Sequence, residues 1–435
     1  MKLDKEWSMK KNIVVMGIGY VGLPLAIILA KVGHKVTGVD VNRKVIEELR
    51  EGSLPIKEKH IERMFNFETV KGNFRASGKP CEAAVFVICV QTPLETVSKH
   101  PDLSFVLSAM EAIIPFVKKG NLIIIESTIP PLTLRNVVKP LIEKSTGLKV
   151  GSDIFLAHCP ERVMPGEAFY ELINNNRVIG GINRESSNLA KEIYASFVKG
   201  DIQMTDDVTA ETVKLMENTY RDVNIALANE FSLIAETLGI DIKEAIRLAN
   251  KHPRVKILSP GIGVGGHCLP KDPWFLIHSD PKNTNLILTA RKVNELMPEI
   301  IASKIRKSVK HIRNPKIVAL GLTYKPDSDD LRESPSLEVV RVLKEDGYNV
   351  AAYDNFVEGH KYQSIIDLAK NADCLAVLVE HTSIKEELER DEMEIKSVMK
   401  TPIVLRIGTS YKPDKFDVRQ EHDQFAHRQR KKQQR

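Results

Sequence analysis

Cysteine is scarce in this sequence, and the few that occur are spaced in a way that excludes a disulfide framework. The chain of 435 residues has five cysteines, at positions 81, 89, 159, 268 and 374, with an odd total and no C-x-x-C pair. This usage is typical of a reducing compartment. Cys89 and Cys374 lie in apolar, strand-like runs, so we expect both to be core residues.

Long apolar runs are also lacking. No apolar stretch reaches 18 residues, so the sequence predicts no membrane span. The first eleven residues are charged and lack the apolar stretch of a signal peptide, which favours a cytoplasmic location.

An excess of positive charge occurs only at the end of the chain. The net charge is +6, but residues 427–435 alone supply five positive charges and no negative ones. The rest of the chain is close to neutral, so we interpret residues 413–435 as a basic, disordered tail. We expect no nucleic-acid partner, no membrane partner and no metal.

The length and the pattern of the chain predict several domains. A chain of 435 residues is too long for one hydrophobic core. Residues 10–204 alternate short β-rich runs with helical patterns, which predicts a parallel sheet covered by helices. The strands are expected at residues 12–16, 34–40, 84–90, 122–125, 154–158 and 177–180.

The middle of the chain has a helical pattern. One long helix is predicted from Thr205 to Leu238, capped by Thr205 or Asp206 and stopped by Gly239. It would span about 50 Å, which is longer than a compact domain needs. We therefore expect residues 205–311 to form a helical linker and dimerisation region.

A second strand–helix alternation occupies residues 312–412. Its first two strands end in Gly321 and Asp354, a weak echo of the start of the chain. The expected fold is therefore α/β, with two Rossmann-like doubly wound domains joined by the long central helix.

Residues 17–22, Gly-Ile-Gly-Tyr-Val-Gly, follow a predicted strand and open a predicted helix. Gly17 permits a tight turn, Gly19 lets backbone approach a pyrophosphate, and Gly22 allows the helix to pack closely on the strand. Tyr20 and Val21 complete this loop, and the helix N-terminus would receive the phosphate charge. The pattern predicts a dinucleotide-binding loop.

Further residues are expected to contact the dinucleotide. Asp40 ends the second strand and suits a ribose diol, which favours NAD over NADP, although the nearby Arg43 moderates that preference. Thr92 and Thr128 fall in loops at strand ends, where each hydroxyl can reach cofactor or substrate. Taken separately, each threonine is more often part of an ordinary turn.

Six motifs occur in the order of a known family. They are Gly-Ile-Gly-Tyr-Val-Gly, Glu-Ser-Thr-Ile-Pro, Cys-Pro-Glu-Arg-Val-Met-Pro-Gly, Lys-Leu-Met-Glu-Asn-Thr, Gly-Val-Gly-Gly-His-Cys-Leu-Pro-Lys-Asp-Pro and Gly-Leu-Thr-Tyr-Lys-Pro-Asp-Ser-Asp-Asp-Leu-Arg-Glu-Ser-Pro. With them, residues 10–412 resemble the UDP-glucose/GDP-mannose dehydrogenase family. The resemblance implies an NAD-dependent, four-electron oxidation of a sugar C6 hydroxymethyl group to a carboxylate.

The resemblance implies that Cys268 is the nucleophile, which traps the aldehyde as a thiohemiacetal and holds the product as a thioester. The local sequence agrees, because Lys271 and a helix predicted to start at Asp272 both favour thiolate.

Lys214 and Asn218 are four residues apart on the long helix and therefore share a face. Seen alone, such a pair is usually solvated. The resemblance implies that both stabilise oxyanion charge and position water, that Asp272 works with them in proton transfer, and that Glu161 activates the hydrolytic water.

The resemblance also implies a substrate site. Lys325 would contact the UDP-sugar and Arg332 the cofactor, while Arg254 would reach a neighbouring subunit's active site, which makes a homodimer the minimum unit. The glycines of the Cys268 loop, among them Gly263 and Gly265, would let backbone wrap around the sugar.

One motif bears on the choice of sugar. Residues 160–166 read Pro-Glu-Arg-Val-Met-Pro-Gly, so Arg162 and Val163 follow Glu161, and Pro165 replaces a second glutamate of the UDP-glucose branch. Together with Gly-Gly-His-Cys in place of Gly-Gly-Ser-Cys, this resembles dehydrogenases of UDP-N-acetylhexosamines. We favour UDP-N-acetylmannosamine, with UDP-N-acetylglucosamine close behind and UDP-glucose possible.

Two alternatives to this function remain open at the level of the sequence. A two-electron hydroxyacid dehydrogenase shares a Rossmann domain and a helical middle, but needs neither the cysteine nor a third domain. A dinucleotide-sensing or scaffold protein would need none of the catalytic residues, and their presence argues against it.

Overall fold

The computed structural model describes residues 10–56, 58, 61–66, 68–163 and 166–407. The predicted tail, the last residues of the predicted third domain and Pro165 lie outside these residues. The chain divides into two compact units. The first comprises the described residues up to Glu217 together with 274–281, and the second comprises 218–273 together with 282–407.

The first unit contains an eight-stranded sheet in the order β3-β2-β1-β4-β5-β6-β7-β8. The predicted parallel sheet covered by helices is confirmed, with one antiparallel pair of neighbours, β6 and β7, that the sequence did not indicate. The sequence also failed to indicate β3 and β8. The strands are β1 Asn12–Met16, β2 Lys35–Val39, β3 Phe74–Ser77, β4 Val85–Ile88, β5 Leu122–Ile125, β6 Phe155–His158, β7 Arg177–Gly181 and β8 Ile202–Asp206.

Both faces of this sheet are buried under helices. In β1, Ile13 and Val15 belong to one apolar cluster, whereas Val14 and Met16 belong to another. This two-sided burial explains why the strands read as continuous apolar runs. The helices of the unit are α1 Gly22–Lys31, α2 Arg43–Arg50, α3 Ile61–Phe65, α4 Glu68–Lys71, α5 Ser104–Ile113, α6 Lys139–Thr146, α7 Ala168–Asn174 and α8 Arg184–Ala195.

The long helix α9 spans Asp207–Leu238, or 32 residues. Its predicted start was two residues early, because Thr205 pairs with Gly180 in the sheet. Asp206 does act as the cap, since its carboxylate accepts the backbone N–H of Thr209 at 3.1 Å. The predicted stop is also confirmed, with Gly239 at a φ of +69°.

The second unit contains a four-stranded parallel sheet in the order β10-β9-β11-β12. Across the described residues, no helix is long and apolar enough to cross a membrane. The remaining strands are β9 Lys316–Leu320, β10 Asn349–Tyr353, β11 Cys374–Val377 and β12 Ile403–Arg406, and the remaining helices are α10 Ile242–Ala249, α11 Asp272–Ser279, α12 Asn285–Val309, α13 Pro335–Glu345, α14 Ile365–Ala369 and α15 Thr382–Val398.

Candidate active site

The three glycines of the first loop have different surroundings. A Cβ at Gly17, whose φ is +85°, would lie 2.7 Å from the carbonyl oxygen of Cys89, and one at Gly22 would lie 1.9 Å from that of Gly17. Among the described residues, nothing lies within 4 Å of a Cβ at Gly19. Gly17 and Gly22 are therefore required by packing, whereas Gly19 borders open space that suits a ligand.

The elements around this loop also fit NAD. Helix α1 begins with the uncharged turn Gly-Leu-Pro-Leu directly after Val21, so its N–H dipoles favour a pyrophosphate. Tyr20 is exposed beside it. The Asp40 carboxylate is fixed at the end of β2 by the N–H groups of Ile18, at 3.1 Å, and Asn42, at 2.9 Å. Arg43 is exposed at the start of α2.

Thr92 and Thr128 are joined to each other. The buried Thr92 hydroxyl donates to the Thr128 carbonyl oxygen at 2.7 Å, which ties together the loops after β4 and β5. Downstream of Thr128, the Glu211 carboxylate on α9 accepts the N–H groups of Leu132 at 2.6 Å and Leu134 at 2.8 Å. Burial raises the pKa of Glu211 to about 7, while the two N–H donors act in the opposite direction.

Glu161 and Lys214 form an ion pair within the first unit. The Lys214 ammonium lies 3.3 Å from the Glu161 carboxylate, and the side chains are 7% and 11% exposed. The second Glu161 oxygen accepts the N–H of Val163 at 2.9 Å. Because both side chains have little exposure, breaking this ion pair would be costly.

Arg162, expected to contact substrate, forms an ion pair with Glu217. Its guanidinium donates to both Glu217 carboxylate oxygens and, at 3.0 Å, to the carbonyl oxygen of Asn176. Glu161 and Arg162, which are adjacent in the loop after β6, thus both form ion pairs with α9. Glu161 is the negative member of its pair, and Arg162 is the positive member of its own.

In the second unit, Asp272 links two other members of the expected catalytic set. The Asn218 amide donates to the Asp272 carboxylate at 2.6 Å. Asp272 is the first residue of α11, as predicted, and its own N–H donates to the Cys268 carbonyl oxygen at 2.9 Å. The Cys268 sulfur lies 3.9 Å from Nδ1 of His267, whose Nε2 is 3.2 Å from the Lys271 ammonium.

The glycines of the Cys268 loop pack against protein. A Cβ at Gly263 would lie 2.9 Å from the carbonyl oxygen of Asn294, and one at Gly265 would lie 2.6 Å from that of Glu333. These close approaches explain why both positions are glycine without invoking a sugar. Asn229 on α9 holds the start of the loop, because its side-chain oxygen accepts the N–H of Gly261 at 2.8 Å.

The remaining predicted residues lie in loops of the second unit. Arg332 donates from Nε and Nη2 to both carboxylate oxygens of Asp330. The Lys325 ammonium lies 5.7 Å from the centre of the Tyr324 ring, in the same loop after β9. Arg254 is exposed in the turn that follows α10.

A buried polar cluster of the first unit was missed from the sequence. Glu126 accepts hydrogen bonds from Arg177 at 3.0 Å and from the Tyr194 hydroxyl at 2.9 Å. Burial raises its pKa, and the Arg177 charge opposes that shift. Glu126 opens one of the six motifs, which was the available signal, but its partners are 51 and 68 residues away.

The glycine-rich loop before α1 and Asp40 after β2 define a dinucleotide-binding protein of the Rossmann type. The chain belongs to the UDP-glucose/GDP-mannose dehydrogenase family. The NAD binding domain of that family matches residues 11–198, its central domain matches 208–296 and its UDP binding domain matches 318–413.

Several similar proteins are named UDP-N-acetyl-D-mannosamine dehydrogenase. The chain is 46% identical to a UDP-N-acetyl-D-mannosamine dehydrogenase of Methanococcus aeolicus, over 93% of each chain. It is 47% identical to an enzyme of the same name from Methanocaldococcus jannaschii, again over 93% of each. The solved structure of the UDP-D-ManNAc dehydrogenase of Pyrococcus horikoshii is 42% identical, with a TM-score of 0.85 over 94% of this chain and 97% of that one.

Proposed function

We propose that the protein oxidises C6 of UDP-N-acetyl-D-mannosamine to the carboxylate, in four electrons and through a covalent intermediate on Cys268. The names of the relatives at 46% and 47% identity support the substrate. The Gly-Gly-His-Cys form of the cysteine motif supports a UDP-N-acetylhexosamine in general. UDP-N-acetylglucosamine and UDP-glucose are the runners-up.

One observation supports the chemistry most directly. Asp272 accepts a hydrogen bond from Asn218 on its carboxylate and donates one from its N–H to the Cys268 carbonyl oxygen. Asp272 therefore fixes the Asn218 amide, a hydrogen-bond donor, and also binds the backbone of the residue that carries the thiol. Such fixed donors are what a tetrahedral oxyanion next to a thiol requires.

Gly17, Gly19 and Asp40 would hold NAD, which would supply the hydride acceptor for two oxidations, one at the alcohol level and one at the aldehyde level. Between these oxidations the Cys268 thiolate attacks the aldehyde, a C–S bond forms, and Lys214 and Asn218 stabilise the oxyanion. After the second, Glu161 takes a proton from the attacking water, the C–S bond of the thioester breaks and the thiolate leaves. The balance is one alcohol, two NAD⁺ and one water to one carboxylate, two NADH and three protons.

The test is the number of NADH formed per sugar consumed, measured at 340 nm with limiting UDP-N-acetylmannosamine. We expect two, because the aldehyde stays bound. One NADH per sugar would instead support the two-electron hydroxyacid-type reaction. A higher kcat/KM with UDP-N-acetylglucosamine, UDP-glucose or GDP-mannose would overturn the substrate and leave the reaction class intact.

We also propose a homodimer in the cytoplasm. Tyr220, Leu227, Ile234 and Leu238 are exposed on α9 at spacings of seven, seven and four, which places them along one stripe of the helix. A contiguous apolar stripe of this kind marks a protein–protein interface. All five cysteines are free thiols, which supports a reducing compartment.

A further inference from the structure

A histidine next to Cys268 has partners on both ring nitrogens. His267 Nδ1 lies 3.9 Å from the Cys268 sulfur, and its Nε2 lies 3.2 Å from the Lys271 ammonium. The three side chains therefore form a line from lysine through imidazole to sulfur. None of the catalytic roles proposed above uses this histidine.

The chemistry of Lys271 and of the imidazole determines which group donates each hydrogen bond along this line. A charged lysine has three hydrogen-bond donors and no acceptor, so it donates to Nε2 of His267. A neutral imidazole that accepts at one nitrogen carries its hydrogen on the other. Nδ1 therefore carries the hydrogen that faces the sulfur. An imidazolium is disfavoured here, because its Nε2–H would point at the Lys271 ammonium.

We propose that His267 is a further catalytic residue, a neutral imidazole that donates a hydrogen bond from Nδ1 to the Cys268 thiolate and is oriented by Lys271. This deepens the proposed function and rests on it for the role of Cys268. A donor at the sulfur stabilises the thiolate before it attacks the aldehyde. The same donor stabilises the sulfur when it leaves the thioester.

Other charged groups face this line. Asp272 and Glu333 carry negative charge near Lys271, and Arg332 carries positive charge. Burial lowers the pKa of Lys271, but Cys268 and Asp272 act in the opposite direction. Burial also raises the pKa of Tyr324, which interacts electrostatically with Cys268, so this phenol stays neutral in the range where a thiol titrates.

The test measures the reactivity of Cys268 directly. The full-length protein, without substrate, is alkylated with iodoacetamide from about pH 6 to about pH 9, a range that covers ordinary imidazole and thiol titration. Mass spectrometry of the peptides then gives a separate rate for each cysteine. Cys81 is the internal control, because it is partly exposed and its contacts are with Thr37 and Arg75.

Three substitutions test the contacts of the two ring nitrogens of His267 separately. His267→Phe keeps the ring without either contact, His267→Gln keeps a polar group on the lysine side, and His267→Asn keeps a donor on the sulfur side. At about pH 7 we expect His267→Phe and His267→Gln to alkylate Cys268 roughly tenfold more slowly, as for the loss of one hydrogen bond to a charged group. His267→Asn should stay within about threefold of the wild type, since it retains that bond. Cys81 should not change.

Equal Cys268 rates in the wild type and in His267→Phe and His267→Gln would overturn the proposal. So would a wild-type rate profile with a second step at the ordinary imidazole pKa of about 6.5, which would indicate an imidazolium. If His267→Phe speeds alkylation at both Cys268 and Cys81, the fold of this variant has loosened. The Cys268 rates of His267→Asn and His267→Gln then decide, and equal rates in these two variants overturn the proposal. Turnover by Cys268→Ser would refute the role of Cys268 in the proposed function without affecting these rates.

Discussion

The two carboxylates of the proposed catalytic set have partners of different kinds. Glu161 is held by the charge of Lys214, whereas Asp272 is held by the neutral amide of Asn218. Breaking a buried ion pair by removing one partner costs roughly 3–5 kcal/mol, so the Glu161–Lys214 pair holds the loop after β6 on α9. The Asn218–Asp272 hydrogen bond instead joins the start of α11 to α9.

At the residue scale, Cys268→Ser should abolish turnover while leaving substrate binding intact. A serine hydroxyl is far less acidic than a thiol, so steady-state kcat should fall at least about a thousandfold. At most one NADH per enzyme should appear in a rapid-mixing experiment. Cys81→Ser is the matched control and should retain full activity. Normal steady-state NADH production by Cys268→Ser would remove the cysteine from the mechanism.

Glu211 gives a pH-dependent prediction. Its folded-state pKa of about 7 lies above the ordinary glutamate value, so the folded protein binds a proton here that the unfolded chain releases between about pH 4.5 and pH 7. Its contribution to stability is therefore full below that window and falls as the pH rises through it. The free energy of unfolding, relative to that of Glu211→Gln, should decrease by up to about 3 kcal/mol across the window.

Urea unfolding of both proteins at a series of pH values checks this. The glutamine variant is the internal reference, because it resembles the protonated carboxyl and does not titrate. A difference that stays constant, or that grows with pH, would contradict the expected direction.

At the element scale, α9 holds several functional loops by side chains on its surface. Glu211 binds the loop after Thr128, and Glu217 binds Arg162 next to Glu161. Asn229 binds the start of the Cys268 loop. Side chains of one helix thus position a loop in each unit, Glu211 and Glu217 in the first and Asn229 in the second.

The exposed stripe of the same helix predicts how the dimer is disrupted. Leu227→Glu combined with Ile234→Glu places two charges in the proposed interface, where burial without partners is costly. We expect the protein to become monomeric in light scattering after gel filtration, with retained helical content. Tyr170→Glu is the control, because Tyr170 is an exposed aromatic residue on α7. A monomeric wild type, or a dimeric double variant, would exclude this interface.

At the scale of the whole molecule, the two units share one turn after their first strands. Gly17 and Gly321 both have positive φ, +85° and +80°, and each donates its N–H to the end of a neighbouring strand. The next residue donates its N–H to an aspartate, Asp40 in the first unit and Asp354 in the second. Asp354, however, is fully buried and bound to His381 at 2.9 Å. The turn is therefore the same in both units, but in the second unit its aspartate is buried and bound to a histidine.

Because NAD and UDP belong to different domains of the family, their stabilising effects should be separable. Gly19→Val is tolerated by the described residues around it, but places a side chain where the backbone must approach a pyrophosphate. Wild-type protein should gain roughly 2.7 kcal/mol at a ligand concentration of 100 times Kd, with NAD and with UDP separately. In thermal unfolding, Gly19→Val should lose the NAD effect and keep the UDP effect. Retained stabilisation by NAD would place the cofactor elsewhere.

The predictable part of the fold came from local patterns. The strands predicted at residues 12–16 and 122–125 match, because a short continuous apolar run between turn residues is typical of a buried strand. β8 was missed because its residues are mostly half-buried or exposed and lack such a run. The antiparallel pairing of β6 with β7 was missed because strand direction depends on the path of the connection, which has no local signature.

For the candidate site as well, the residues in local motifs were predictable from the sequence, whereas their contacts were not. The resemblance to the family motifs predicted Cys268, Asp272, Lys214 and Glu161 one by one, because each lies in a short recognisable stretch. Their partners were not predictable, since Glu161 is far from Lys214 in the chain and Asn218 is 54 residues from Asp272. Arg162, expected at the substrate, has Glu217 as its partner for the same reason.

The amino-acid sequence by itself determined the α/β class, the long helix and the nucleotide loop, and it singled out Cys268 as the proposed nucleophile, since each depends on residues close together in the chain. Only the tertiary structure decided which charges meet, which glycines are needed for packing, and that a histidine ring stands between Lys271 and Cys268. Those outcomes depend on distances between folded segments, and a linear pattern carries no such distances.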